Sequence, residues 1–431
     1  MRAVGASSSA RIQVVAPGGG SAAADVVGTL LLAGCAAWTL YTAAGRDAHP
    51  EGVLLGLLAV AAGYAGGRVA GAVVPVGAPA VVALAVGGFA LLVPGGLSGD
   101  PAAPPLDAMD ADGALLALAV GAACCAAQAA SGRVRLLLTA LACGITAEAL
   151  ATGSVEGVLA CGAALVAAGS ATFARRRVPA LLLLALCAGL AAGAPLLLAR
   201  PDRPASAFSG GIPQVDQRAA LWHDAVEEAA GAPLRGVGPG QFAELSPAAQ
   251  ESATPGGASS ASLQAAAEQG VPGVCLLAAS FGWMLWTLRR SPASTAVVLT
   301  AAGALTALAA EAAVSPVLSY PGITAGAGLL VGMAAARPLA QDLKRSAGPA
   351  EPAGPPRPTG PTGSAEGTGS AEAMEDRDGG RSGMTPGRAR GGSGWGVRAS
   401  AARCGPPGAR TGAGPRRPGP EEDRSSAGTP W

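Results

Sequence analysis

Long apolar runs separated by short polar or arginine-bearing breaks dominate the first 336 positions. A helix crosses the hydrocarbon of a bilayer with about 20 apolar residues, within a range of about 17–25. On that rule the pattern predicts spans at 26–44, 53–74, 77–94, 113–131, 134–152, 156–174, 178–199, 271–288, 294–313 and 321–336. The expected fold class is an all-α membrane protein. It has about ten transmembrane helices and one large extracytoplasmic loop containing a short amphipathic helix. The third, sixth and tenth spans are short or rich in Gly. The expected organisation is a cytoplasmic segment 1–25, helices one to seven over 26–199, the large loop 200–270, helices eight to ten over 271–336, and a tail 337–431.

Charge placement orients this pattern. Arg2 and Arg11 precede the first span, and Arg68 ends the second. Arg133 with Arg135, Arg175 to Arg177, Arg289 with Arg290, and Arg337 with Lys344 and Arg345 follow the fourth, sixth, eighth and tenth. With the N-terminus inside, every cluster is cytoplasmic, as the excess of basic residues in cytoplasmic loops requires. Both termini are then cytoplasmic and the large loop faces outward. Acids gather on the opposite side: Asp100, Asp107, Asp110 and Asp112 in one connection, Glu156 in another, and Glu311 near a third. Glu148 lies inside the fifth span near its outer end, where a carboxylate reaches the interface. The segment Leu32-Ala33-Gly34-Cys35 resembles a lipoprotein processing box, but cleavage there would remove most of a helix, and the first span is read as retained.

Composition narrows the function classes. Of 431 residues, 50% are hydrophobic and 13% charged, against about 25% charged in an average soluble domain. The net charge of +1 excludes a dedicated nucleic-acid binder. Two histidines, His49 and His223, are too few for a multi-histidine metal site, and none of the eight cysteines has metal-ligand spacing with them. The cysteines read as small apolar packing residues. From about Ala347 onward the chain is Gly, Pro, Ser, Arg and acid, with too little apolar surface to offset ordering, so a disordered tail is expected.

The large loop carries the candidate chemistry. Asp216 to Ala230 reads as an amphipathic helix, with Leu221, Trp222, Ala225 and Val226 on one face and Asp224, Glu227 and Glu228 available to water. Gly231-Ala232-Pro233 ends it. Gly236-Val237-Gly238-Pro239-Gly240 follows, a tight loop able to bring backbone N–H groups to an anion or simply to make a turn. No Gly-Lys-Ser/Thr follows it, so it is not a nucleotide-binding P-loop.

Taken together, Arg218-Ala219-Ala220-Leu221-Trp222, Pro233 to Phe242, Leu263-Gln264, and Ala267-Glu268-Gln269-Gly270-Val271-Pro272-Gly273 resemble the O-antigen ligase/polymerase family of polytopic membrane glycosyltransferases. The resemblance implies transfer of a glycan from a polyprenyl-diphosphate carrier to a glycan or lipid acceptor hydroxyl at the outer face, with membrane lipids around it and no cofactor or metal. It implies that Arg218 holds the leaving diphosphate through charge-assisted bonds. Arg235, Gly236, Gly238 and Gly240 are further substrate-binding candidates. The chain departs from the family at one position. A histidine four residues before the leucine that corresponds to Leu263 is replaced by Ser259, and serine is a poor base near neutral pH. Three readings follow: His223 takes over, a carboxylate such as Glu268 takes over, or the chain is an impaired member acting as an assembly scaffold. Glu268 also reads as an acid at the start of the eighth helix, favoured there by the helix dipole, and Gly270 and Gly273 as close-packing positions. A polytopic transporter is the remaining alternative, although paired repeats and midplane charges are not evident.

Overall fold

A computed structural model of the chain describes residues 19–92, 105–199, 213–251 and 257–339. Arg2, Arg11, Asp100, the start of the large loop, Cys404 and the tail from 340 onward lie outside the described residues. All described residues fall in the first of two units, Met1–Pro356.

The described residues form helices and no strand. Seven helices precede the large loop: α1 (Gly19–Ala43), α2 (Glu51–Val73), α3 (Gly77–Leu92), α4 (Pro105–Ala129), α5 (Gly132–Thr152), α6 (Val155–Ala171) and α7 (Arg177–Leu198). The loop carries α8 (Pro213–Gly231) and two short helices, Phe242–Leu245 and Pro247–Glu251. Then come α9 (Ala261–Arg290), α10 (Thr295–Ala312), a 3-10 turn (Val317–Ser319) and α11 (Pro321–Ala335).

Seven of these helices, α1, α2, α4, α5, α7, α9 and α10, are long and apolar enough to cross a membrane. Where the third, sixth and tenth spans are expected, the chain forms the shorter apolar helices α3, α6 and α11, of 16, 17 and 15 residues. At 1.5 Å per residue these rise only about 23–26 Å, short of a hydrocarbon core of about 30 Å. Large apolar side chains such as Leu136, Leu137, Leu159, Val166, Leu182 and Leu190 point outward. That outward apolar surface suits lipid, not water. The chain is an all-α membrane protein.

Small residues set how closely the helices approach, as they do where lipid supplies no hydrophobic drive between helices. In α2 and α11 the glycines interlock with facing backbone. A methyl group on Gly63 would sit 2.1 Å from the Ala325 carbonyl oxygen, one on Gly67 2.3 Å from that of Leu329, and one on Gly332 2.3 Å from that of Tyr64. α4 is the central helix, with Leu116 and Val120 fully buried among Val298, Leu305 and Leu308 of α10.

Two contacts fix the register that matters for function. Gly113 of α4 and Gly157 of α6 meet backbone to backbone, so a methyl group on Gly113 would lie 2.7 Å from the Gly157 Cα. Gly121 meets Ala304 of α10, and Cys125 Sγ lies 3.7 Å from the Val297 carbonyl oxygen, so α10 runs antiparallel to α4.

α9 differs from expectation. It begins at Ala261, capped by Ser260, whose Oγ accepts from the Leu263 N–H at 3.5 Å. It is interrupted at Gly270, where φ is 70° and ψ −169°. The reading of Glu268 as an acid at a helix start is therefore corrected. Glu268 lies in the last turn before the break, because the apolar run beginning at 271 marks only the second segment of a longer, broken helix.

Candidate functional site

The loop helix α8 docks by its apolar face. Leu221 and Ala225 are buried with Phe242, Ala249, Ala258, Leu263 and Ala267, and Trp222 and Val226 pack onto that small core. Asp224 fastens the connection that follows: its Oδ2 accepts from Ser246 Oγ at 2.6 Å and from the Ala248 N–H at 3.1 Å. Trp222 Nε1 donates to the Ser259 carbonyl at 3.4 Å. Docking fixes the azimuth of every other side chain on α8.

Arg218 stands three residues before Leu221 on the docked side. Its Nη1 donates to Glu156 Oε1, and its Nη2 lies 3.4 Å from Asp110 Oδ2. The two carboxylates come together because α4 and α6 touch at Gly113 and Gly157, one helical turn or less from each acid. Ser154 completes the corner. It caps α6 by accepting from the Gly157 N–H at 3.1 Å and donates to Asp110 Oδ1 at 3.0 Å. Glu156 in the first turn of α6 also faces the positive end of that helix. The Arg218 side chain remains 36% exposed.

Glu311 of α10 faces the same corner. It is 4% exposed, neither carboxylate oxygen has a hydrogen-bond partner, and Asp110 and Glu156 are its charged neighbours. The antiparallel register explains this. Glu311 is seven residues beyond Ala304 on α10, which brings it level with the Gly113 end of α4, seven to eight residues back from Gly121.

The glycine loop solves a different problem. The break at Gly270 leaves backbone groups of α9 without helical partners, and the loop supplies them. Val237 N–H donates to the Ala267 carbonyl at 2.8 Å, Gly238 N–H to the Glu268 carbonyl at 3.0 Å, and Val271 N–H to the Pro233 carbonyl at 2.8 Å. Gly236 must be glycine twice over: its φ is 63°, and a methyl group would lie 2.3 Å from the backbone carbon of Glu268. Gly236 N–H is taken by the Ala232 carbonyl at 2.8 Å. The donors of Gly236, Val237 and Gly238 are thus all occupied within the chain, as in a turn. Gly240, with φ 77°, lets the loop pass His49, whose N–H donates to the Pro239 carbonyl at 2.8 Å.

Glu268 is buried beneath this loop. The backbone N–H groups of Gly240 and Phe242 face its carboxylate, and Gln264 Nε2 donates to its Oε1 at 3.3 Å. Arg235 lies over the Tyr41 ring at 4.5 Å and donates to the Tyr41 carbonyl at 3.0 Å, tying the loop to the end of α1. Arg46, which sequence reasoning passed over, adds a 2.7 Å bond to the Gly236 carbonyl. Nothing in the sequence separates Arg46 from any other loop arginine.

His223 is exposed. At about 100° per residue it lies about 140° around α8 from Arg218, away from the docked face. Ser259, where the resemblance leads one to expect a histidine, has a left-handed φ of 49°. Of the sequence candidates, Arg218 therefore meets the acids at the helix ends, Arg235 and the three glycines meet Glu268 and the α1–α2 connection, and His223 meets neither.

Sequence reasoning noted Asp110, Glu156 and Glu311 only as loop acids. One signal would have grouped them. The alternating span count puts all three on the same side as Arg218.

A model of the protein family described as O-antigen ligase matches residues 140–278. The match runs from α5 through the Gly270 break and includes Glu156, Arg218, the glycine loop and Glu268, while Asp110 and Glu311 lie outside it. No curated protein matches the chain.

Proposed function

From the premise that this membrane protein carries the O-antigen ligase family's domain at residues 140–278, we propose that it transfers a glycan from a polyprenyl-diphosphate carrier to an acceptor hydroxyl. The matched domain supports a role in surface polysaccharide assembly. The large loop is extracytoplasmic in this reading and both termini are cytoplasmic, in line with the arginine clusters at alternate connections.

The observation that carries the reading is Arg218. It lies inside the matched segment, on a loop helix docked against the bundle, with its terminal nitrogens on the Glu156 and Asp110 carboxylates and its side chain 36% exposed. The leaving diphosphate is dianionic or more, and a guanidinium held in place binds it without first losing side-chain freedom. Glu156 and Asp110 keep the arginine aimed. The glycine loop, Glu268 and Arg235 hold the loop on the broken helix α9 and so position α8.

A second reading, an inactive assembly scaffold, draws on Ser259, which occupies the family's histidine position. Deleting the gene and complementing it separates the two. Transferase activity predicts that the deletion shortens surface glycan, that polyprenyl-linked glycan accumulates, and that wild type but not Arg218→Ala reverses both. A scaffold predicts that Arg218→Ala restores glycan as well as wild type does.

A further inference from the structure

The geometry points to Glu311 as the proton acceptor for the acceptor hydroxyl, the part that Ser259 cannot play. The inference rests on the transferase reading above.

Three observations meet at this residue. Glu311 is 4% exposed and both of its carboxylate oxygens are without a hydrogen-bond partner. A buried carboxylate with no donor destabilises a fold, so a chain that keeps one marks a candidate functional site. Its position is set by helix register: the Gly113–Gly157 contact and the antiparallel Gly121–Ala304 contact bring it level with Asp110 and Glu156, its charged neighbours and the two acids that hold Arg218. The corner has a division of labour built in. Glu156 Oε1 and Asp110 Oδ2 are engaged by Arg218, and Asp110 Oδ1 by Ser154; Glu156 Oε2 is unpartnered, and Glu311 is the acid of the three with neither carboxylate oxygen engaged. A carboxylate already bonded to a guanidinium is a weaker base than one that is not.

The acceptor oxygen bonds to the anomeric carbon of the carrier-linked sugar. The bond from that carbon to the diphosphate oxygen breaks, and its electron pair leaves on the diphosphate held by Arg218. The hydroxyl proton passes to a Glu311 carboxylate oxygen and later to water. Arg218 and Glu311 thus serve the two ends of one displacement from a single corner, the arginine at its exposed rim and the glutamate at its floor.

Substitution separates catalysis from packing, because the two predict opposite effects on stability. A buried acid with no partner gains stability when its charge is removed. The test uses the full-length protein in a strain deleted for its gene, with that strain's own polyprenyl-diphosphate-linked glycan as substrate. Wild type restores long surface glycan and drains that pool; if it does not, the transferase reading falls and this inference with it. Where wild type restores, Glu311→Gln is expected to consume the pool about 100-fold more slowly per molecule or worse, while the purified protein melts no lower than wild type. Glu311→Asp is expected to keep measurable transfer. A Gln variant that works within about threefold of wild type per molecule, far inside the loss expected on removing a general base, overturns the assignment and leaves the transferase reading intact. So does one that loses transfer only in proportion to lost abundance.

Discussion

Arg218 on the docked loop helix and Glu156 in the first turn of α6 form an ion pair across 62 positions of sequence. The pair joins the loop to the bundle. It also places the only arginine of α8 where two helices, touching at a pair of glycines, present their acids. Function and docking share the same contact, so substitutions on each side of it have different expected signatures.

Arg218→Lys tests the planar fork. A lysine keeps the charge but lacks the planar fork that makes two parallel bonds to a phosphate or carboxylate. Glycan transfer per molecule is expected to fall by about 100-fold, the scale on which a single preorganised donor contributes. The rate of polyprenyl-diphosphate release in membrane vesicles measures it.

His223→Ala is expected to leave transfer within about twofold of wild type. Its ring is exposed and about 140° around the helix from Arg218. Surface-glycan length in the complemented deletion strain is the readout. Loss of long chains in this variant would reinstate His223 as the substitute base.

Gly236→Ala is expected to destabilise the loop by about 1–3 kcal/mol, because alanine meets both a left-handed φ and the Glu268 backbone. Gly231→Ala is its control. Nothing lies within 4 Å of a methyl group there, and the change is expected to be neutral or to stabilise slightly, by about 0.4–1 kcal/mol. Melting of the detergent-purified protein compares the two.

Gly67→Val is expected to separate α2 from α11, since its first methyl position already overlaps the Leu329 carbonyl oxygen at 2.3 Å. The adjacent Gly66→Ala meets nothing within 4 Å and is expected to be tolerated. Protein abundance in membranes, measured side by side, distinguishes them.

These positions also show what the sequence made legible. Apolar run length is a local property, so the helices and the amphipathic α8 are readable directly: Asp216 to Ala230 was expected, and Pro213–Gly231 is helical. Boundaries failed where helicity does not depend on hydropathy. The segment Ala261 to Gln269 is polar enough to read as loop, yet a serine cap and the docked glycine loop make it the first part of α9. The glycine loop reads more readily as a turn than as an anion cradle, but φ angles above zero are common to both, and the acceptors of its Val237 and Gly238 N–H groups lie about 30 residues on in sequence. The span count puts the three acids on one side, but their meeting in one corner was not legible, for a different reason. Asp110, Glu156 and Glu311 come from three separate helices, and their meeting depends on which small residues touch, which no local pattern encodes.

The most direct measurement of the central claim is polyprenyl-diphosphate release in vesicles bearing wild-type or Arg218→Ala protein at equal abundance, supplied with the strain's own lipid-linked glycan. The account predicts steady release with wild type and a loss of about 100-fold or more with Arg218→Ala. Equal release from both would contradict it.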